Sequence, residues 1–177
     1  MGEYKKVKDE LLKELNIISF PLASDRDNIV RGGVTKQGFV LGKIYTYSEG
    51  LKYDPRSFRP SNKTNKPKYF RIWKLARKLM HLKDPNFKFT SIQFNKNNRT
   101  ARHKDSRNTG ISNMIGLGNY EGGDLLIFDE DGKNPKRLKT KDKWIKFDGS
   151  KYPHETTAFK GDRYTLVYYN AGKGKDK

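Results

Sequence analysis

The stretch TARHKDSRNTGISNMIGLGN, from Thr100 to Asn119, holds a histidine and an aspartate two residues apart, His103 and Asp105. On an extended strand residues i and i+2 share a face, about 7 Å apart along the backbone. At that spacing an imidazole nitrogen and a carboxylate oxygen can converge on one metal ion. Outward from this stretch the texture on both sides is that of short strands. Phe87 to Phe94 (FKFTSIQF) alternates large apolar with polar residues, as a half-buried strand does. Gly110 to Leu117, Gly122 to Asp129, Trp144 to Phe147, His154 to Phe159 and Arg163 to Tyr169 follow, separated by Gly, Asn and Asp turn signals such as Asp131-Gly132. Strands at intervals of about 10 residues predict an all-β sandwich or barrel. Lys133 to Asp142 reads as a basic loop and Ala171 to Lys177 as a flexible basic tail.

Upstream the pattern is mixed. Glu3 to Asn16 places Tyr4, Val7, Leu11, Leu12 and Leu15 at helical spacing, with charges between them. Tyr69 to Lys83 is a second helix, with an expected apolar stripe of Phe70, Trp73, Ala76, Leu79 or Met80 and, at its end, Leu82, stopped by Asp84-Pro85. Ile17 to Phe20 is a short apolar run that suits a strand, and Ile29 to Tyr47 reads as strand interrupted by glycines. Ser48 to Lys68, rich in prolines and bases, reads as a long loop, a candidate lid or nucleic-acid contact. The expected fold class is mainly β with flanking helices, in a single domain over 1–170: an extension over 1–86 and a β core over 87–170.

Composition narrows the chemistry. The chain of 177 residues has no cysteine, which excludes disulfides, zinc knuckles and thiol nucleophiles. The charged N-terminus lacks a signal-peptide core, and no run of residues is apolar enough to span a membrane. A soluble, intracellular protein is expected, in cytoplasm or nucleus, or a viral protein acting there. The net charge of +18 favours polyanions, nucleic acid first. Most of the basic residues are lysine, however, and lysine enrichment also follows from an A·T-rich coding sequence.

A metal site needs a third ligand, and only three histidines exist: His81, His103 and His154. His81 falls in the second helix, beside its apolar stripe, and reads as a packing or surface residue. His154 starts a strand-like segment, where a buried histidine hydrogen-bonded within a β core is the ordinary alternative. Two histidines and one carboxylate with open positions form the facial triad of non-haem Fe(II) sites. Farther on, Arg163 and Thr165 share a strand face, a guanidinium fork beside a hydroxyl, suited to a bidentate carboxylate.

The order HxD, GGxL, distal His, then RxT resembles the Fe(II)/2-oxoglutarate-dependent dioxygenases, whose core is a double-stranded β-helix (jelly roll). The resemblance covers about 87–170. The segments FTSIQFN, HKDSRNTGIS, LGNYEGGDLLIF, WIKFDG and HETTAFKGDRYTLVYY look more narrowly like the TET/JBP-like group, which oxidises the methyl group of 5-methylcytosine or thymine in DNA. The resemblance implies Fe(II) held by His103, Asp105 and His154, with 2-oxoglutarate and dioxygen as co-substrates. It further implies that Arg163, helped by Thr165, binds the far carboxylate of 2-oxoglutarate. By resemblance to some relatives Asn95 is a candidate co-substrate contact, at a spacing to His103 that departs from theirs, and Asn108 would be the asparagine of HxDxxN near the site. Gly122-Gly123 would pass close beneath the site. The chain lacks the cysteine-rich region of the animal methylcytosine enzymes.

A base in duplex DNA must leave the stack to reach such a metal. Arg99, Arg102, Lys104 and Arg107 flank the HxD strand and are candidate phosphate contacts, as are the loops 52–68 and 133–146. Two rivals stand beside a DNA-directed oxygenase. One is a prolyl- or lysyl-type protein hydroxylase of the same superfamily, although prolyl hydroxylases usually anchor the co-substrate with lysine. The other is a basic, non-catalytic jelly roll that binds nucleic acid by charge. Oligomeric state is not legible.

Overall fold

The computed structural model describes residues 2–22, 37–48, 52–61, 63–106 and 108–172, with side chains of 45–60 excepted. The elements are α1 (Glu3–Ile17), β1 (Gly38–Ser48), β2 (Lys52–Pro60), α2 (Pro67–Lys83), β3 (Ser91–Lys96) and β4 (Ser112–Gly122). They are followed by β5 (Leu125–Ile127), β6 (Lys136–Leu138), β7 (Trp144–Phe147), β8 (His154–Thr156) and β9 (Phe159–Tyr169). Among the described residues no helix is long and apolar enough to cross a membrane.

α1 buries Val7, Leu11 and Leu15, a stripe at i, i+4 and i+8. α2 begins with Pro67, whose missing N–H costs nothing at a helix start. Its buried face is Ile72, Leu75, Ala76, Leu79 and Met80. That corrects the expected stripe. Phe70 is 43% exposed, because it falls on the helix face that carries Lys74, Arg77 and His81, while contact with α1 and the sheet selects the 72/75/79 phase.

The strands form two antiparallel sheets, a large one in the order β2-β1-β3-β9-β4-β7 and a small one in the order β6-β5-β8. From β4 onward the chain crosses to the small sheet for β5 and β6, returns for β7, crosses for β8 and returns for β9. This winding is the double-stranded β-helix. Both faces of the large sheet are covered, so β4 reads as a nearly continuous buried run instead of an alternating one. On β9, Tyr164, Leu166 and Tyr168 pack with the helices. Arg163, Thr165 and Val167, on the opposite face, point between the sheets, where Met114, Leu125, Ile145 and Phe147 form a second apolar cluster. The Tyr168 hydroxyl donates to the Ala76 carbonyl at 2.7 Å and ties α2 to the sheet.

Several expectations from sequence change. Ser48 to Lys68 is no loop: β2 pairs with β1 from Ser48↔Lys52 to Lys43↔Pro60. The ladder slips between Tyr45 and Thr46, leaving 55–57 unpaired. β2 is an edge strand, where prolines interrupt no second ladder. Ile17 to Phe20 forms no strand, and β3 starts at Ser91, later than Phe87. The expected strand through 29–36 and the tail over 173–177 lie outside the described residues. Ala171, where the expected tail begins, is held by a bridge to Asn108.

Candidate metal centre and carboxylate cradle

His103 lies in a single bridge and not in a regular strand. Its N–H donates to the His154 carbonyl and the His154 N–H donates back, both at 3.0 Å. Directly opposed residues of an antiparallel pair share a face. The two imidazoles accordingly sit side by side, ring centroids 4.4 Å apart. Asp105 then turns in, its N–H bound to the Gly149 carbonyl at 2.8 Å. The carboxylate places Oδ1 3.4 Å from His103 Nε2 and Oδ2 3.2 Å from His154 Nε2. One ligand atom from each of the three residues lies within 4.8 Å of the others.

The tautomers follow from the backbone. His103 Nδ1 is 2.7 Å from the Ala101 carbonyl and His154 Nδ1 is 3.0 Å from that of Tyr152. A carbonyl only accepts, so each Nδ1 carries the proton, and a neutral ring presents its Nε2 lone pair to Asp105. Three electron-pair donors then converge, which is stable only with positive charge among them, a proton on an imidazole or a metal ion. Burial pushes the Asp105 carboxyl up, but the hydrogen bonds and charge that His103 and His154 offer when protonated at Nε2 outweigh it and hold the group well below the usual carboxylate range.

Gly149 and Phe147 complete this end. A Cβ on Gly149 would lie 2.8 Å from Asp105 Oδ2 and 3.1 Å from His154 Cε1, so any side chain here invades the centre. The Phe147 ring meets His154 edge-on at 5.0 Å and forms an apolar wall.

Between the sheets, on β9, Arg163 is 3% exposed. Nη2 donates to the Gly123 carbonyl at 3.0 Å and Nη1 to that of Asn98 at 3.5 Å, while the buried Nε has no hydrogen-bond partner. The guanidinium lies over Tyr120 and Phe159, 5.6 and 5.5 Å from their centroids. Burial lowers its pKa, with Tyr120 and then Asp124 opposing. Gly123, at φ +67°, turns the chain between sheets with its α-carbon against this side chain: a Cβ would lie 2.5 Å from Nε. Thr140 braces the turn, donating to the Gly123 carbonyl at 2.7 Å and meeting the Tyr120 hydroxyl at 2.9 Å. Thr165 lies on the same face of β9 and accepts from Asn95 Nδ2 at 3.1 Å. Asn95 Oδ1 in turn accepts from Gln93 and Asn98. A buried, partly unpartnered cation beside hydroxyl and amide groups suits an incoming carboxylate.

The expected metal residues are thus together, and so are Arg163, Thr165 and Asn95. The candidate phosphate contacts differ among themselves. Arg102 is engaged, 3.2 Å from Glu155, 3.2 Å from the Gly132 carbonyl and stacked on Phe128. Lys104 is exposed. Arg99 is half-buried, with an Nε that has no partner. Asn108 closes the turn by donating its N–H to the Asp105 carbonyl at 3.0 Å, and Arg107 lies outside the described residues. His81 is exposed on α2, away from the centre. Gly149, Phe147, Tyr120 and Thr140 had no role in the sequence reading; the Asp148-Gly149 turn in WIKFDG was the available signal.

This fold is shared with solved oxygenases. A 2OG-Fe(II) oxygenase-family oxidoreductase from Burkholderia pseudomallei is 13% identical, with a TM-score of 0.57 over 95% of this chain and 81% of that one. NgTET1 in complex with 5mC DNA is 14% identical, with a TM-score of 0.56 over 98% of this chain and 69% of that one. A prolyl-4-hydroxylase from Pseudomonas putida is 13% identical, with a TM-score of 0.52 over 94% and 84%. No protein-family model and no curated protein matches the sequence.

Proposed function

We propose that this protein is an Fe(II)- and 2-oxoglutarate-dependent oxygenase that hydroxylates a C–H bond, with the methyl group of a modified base or of thymine in DNA as the favoured target. His103, Asp105 and His154 would hold the metal, and Arg163 with Thr165 and Asn95 the far carboxylate of 2-oxoglutarate. The carrying observation is that both imidazoles turn Nε2 toward one carboxylate while their Nδ1 protons are spent on backbone carbonyls. The unpartnered Arg163 Nε supports the co-substrate assignment. When bound, the metal and 2-oxo acid supply dioxygen activation coupled to decarboxylation, giving succinate, carbon dioxide and a hydroxylated substrate.

The chain's own contribution is placement. The carbonyls of Ala101 and Tyr152 fix the rings, Gly149 keeps the carboxylate's space clear, and Phe147 excludes water from one side. Arg163 donates to the co-substrate with little reorganisation, because Gly123, Tyr120 and Phe159 already cage it.

The net charge of +18 supports nucleic acid over a neutral target. Protein hydroxylation on the same centre is the second reading, since a prolyl hydroxylase shares the fold at a TM-score of 0.52, against 0.56 for NgTET1. Succinate release measured with Fe(II), 2-oxoglutarate and either methylated DNA or a peptide pool separates them. Turnover stimulated by DNA alone supports the first reading, and stimulation by peptide alone replaces it. No turnover and no retained metal would remove the oxygenase assignment.

A further inference from the structure

On the side of the large sheet opposite the metal centre, a groove of about 740 Å³ runs between α2 and the segment leading into β3. Its floor is aromatic. Trp73, Phe87 and Phe89 are half-buried, their inner edges packed on the core and the remainder toward the groove. Trp73 meets Phe89 edge-on at 6.3 Å, and Phe87 stacks on Phe89 at 6.4 Å. Its walls are basic: Lys74, Arg77 and Lys88 are exposed and form no ion pair with a described carboxylate. Arg77 already lies over the Trp73 ring, 5.5 Å from its centroid. The acid of the lining, Asp84, is taken by Lys146 at 3.0 Å.

Half-exposed rings between unpaired cations are what a flexible polyanion with flat, stackable groups requires, phosphates on the rim and bases on the floor. A core edge alone would call for the rings but not for three exposed cations, Lys74, Arg77 and Lys88, without a carboxylate partner among the described residues, the fourth lining cation, Lys78, being held by Glu3 at 2.8 Å. From this we infer that the α2 groove is a second nucleic-acid site, holding a single-stranded segment away from the metal. It rests on the nucleic-acid reading for the class of partner and on nothing at the metal centre. On β9 and β4 the side chains reaching the groove side of the sheet are not those reaching the metal side. The groove therefore retains or positions the polymer and does not present the reacting base.

The test is fluorescence anisotropy of a labelled oligothymidylate with metal-free protein, without 2-oxoglutarate. Its failure is then distinct from failure of the oxygenase assignment. Arg77→Glu/Lys88→Glu should weaken binding at least about tenfold at low salt and make the log–log salt slope shallower by about 1.4, two contacts at roughly 0.7 each for single strands. Lys13→Glu/Lys160→Glu, the same charge change at exposed positions on other faces, should weaken it much less. Emission from Trp73 should change on titration and the change should vanish in Trp73→Phe, leaving Trp144 as the control. Equal losses in the two double variants, or a silent Trp73, would overturn the site. Polyglutamate competing as well as oligonucleotide at equal charge would also overturn it, in favour of an acidic protein partner.

Discussion

Gly149→Ala is the sharpest small perturbation of the centre. Gly149 does not have a left-handed φ, so alanine fits the backbone. The cost is confined to the new methyl, 2.8 Å from Asp105 Oδ2 with His154 Cε1 and Phe147 Cε2 each at 3.1 Å. Restoring ordinary contact moves the carboxylate by roughly half an ångström, the tolerance within which a metal constellation works. Overpacking of this kind costs about 1–3 kcal/mol. Borne mainly by the metal-bound state, that is about five- to 150-fold in affinity. Calorimetric titration with Mn(II) should show this loss, while the metal-free melting temperature falls by no more than about 4 °C, since 1 kcal/mol shifts a domain of this size by about 2–4 °C. Unchanged Mn(II) affinity in a folded variant would refute the claim that Gly149 keeps the ligand space clear.

Other expectations follow from the same geometry. Arg163→Lys keeps the charge and loses the fork, and should weaken 2-oxoglutarate binding about tenfold, read by quenching or calorimetry; Arg163→Met should weaken it much further. In Arg163→Met the metal-free protein should lose little stability in denaturant titration, because Thr140 still donates to the Gly123 carbonyl. Thr140→Val breaks that bond and the one to Tyr120, and should cost about 1–3 kcal/mol of stability while also raising the KM for 2-oxoglutarate. Saturating Mn(II) at a hundred times its Kd should stabilise the protein by about 2.7 kcal/mol, and a chelator should reverse the shift in melting temperature.

The three candidate ligands were legible in sequence because they come from two short segments and the chain has only three histidines. His103 and Asp105 lie two apart, and His154 begins its own strand. The geometry differed from the reading all the same: Asp105 lies beyond the bridge, so the pair meets by a turn anchored on Gly149 and not by strand alternation. The supports were illegible because they act across the fold. Tyr120 and Thr140 look like any strand tyrosine and loop threonine until the crossing at Gly123 brings them to Arg163. β2 was missed because prolines weigh against a strand, and only its edge position tolerates them. The phase of α2 was missed because Phe70, an apolar residue on its charged face, lies one turn before Trp73 and Trp73 itself lies at the border of the buried face, where it lines the groove.

A crystal structure of the protein with Mn(II) and 2-oxoglutarate bears most directly on the assignment. One metal ion should sit on His103 Nε2, His154 Nε2 and the Asp105 carboxylate, with the far carboxylate of 2-oxoglutarate on Arg163 and within reach of Thr165. Metal bound without these three residues, or 2-oxoglutarate held away from Arg163, would contradict it.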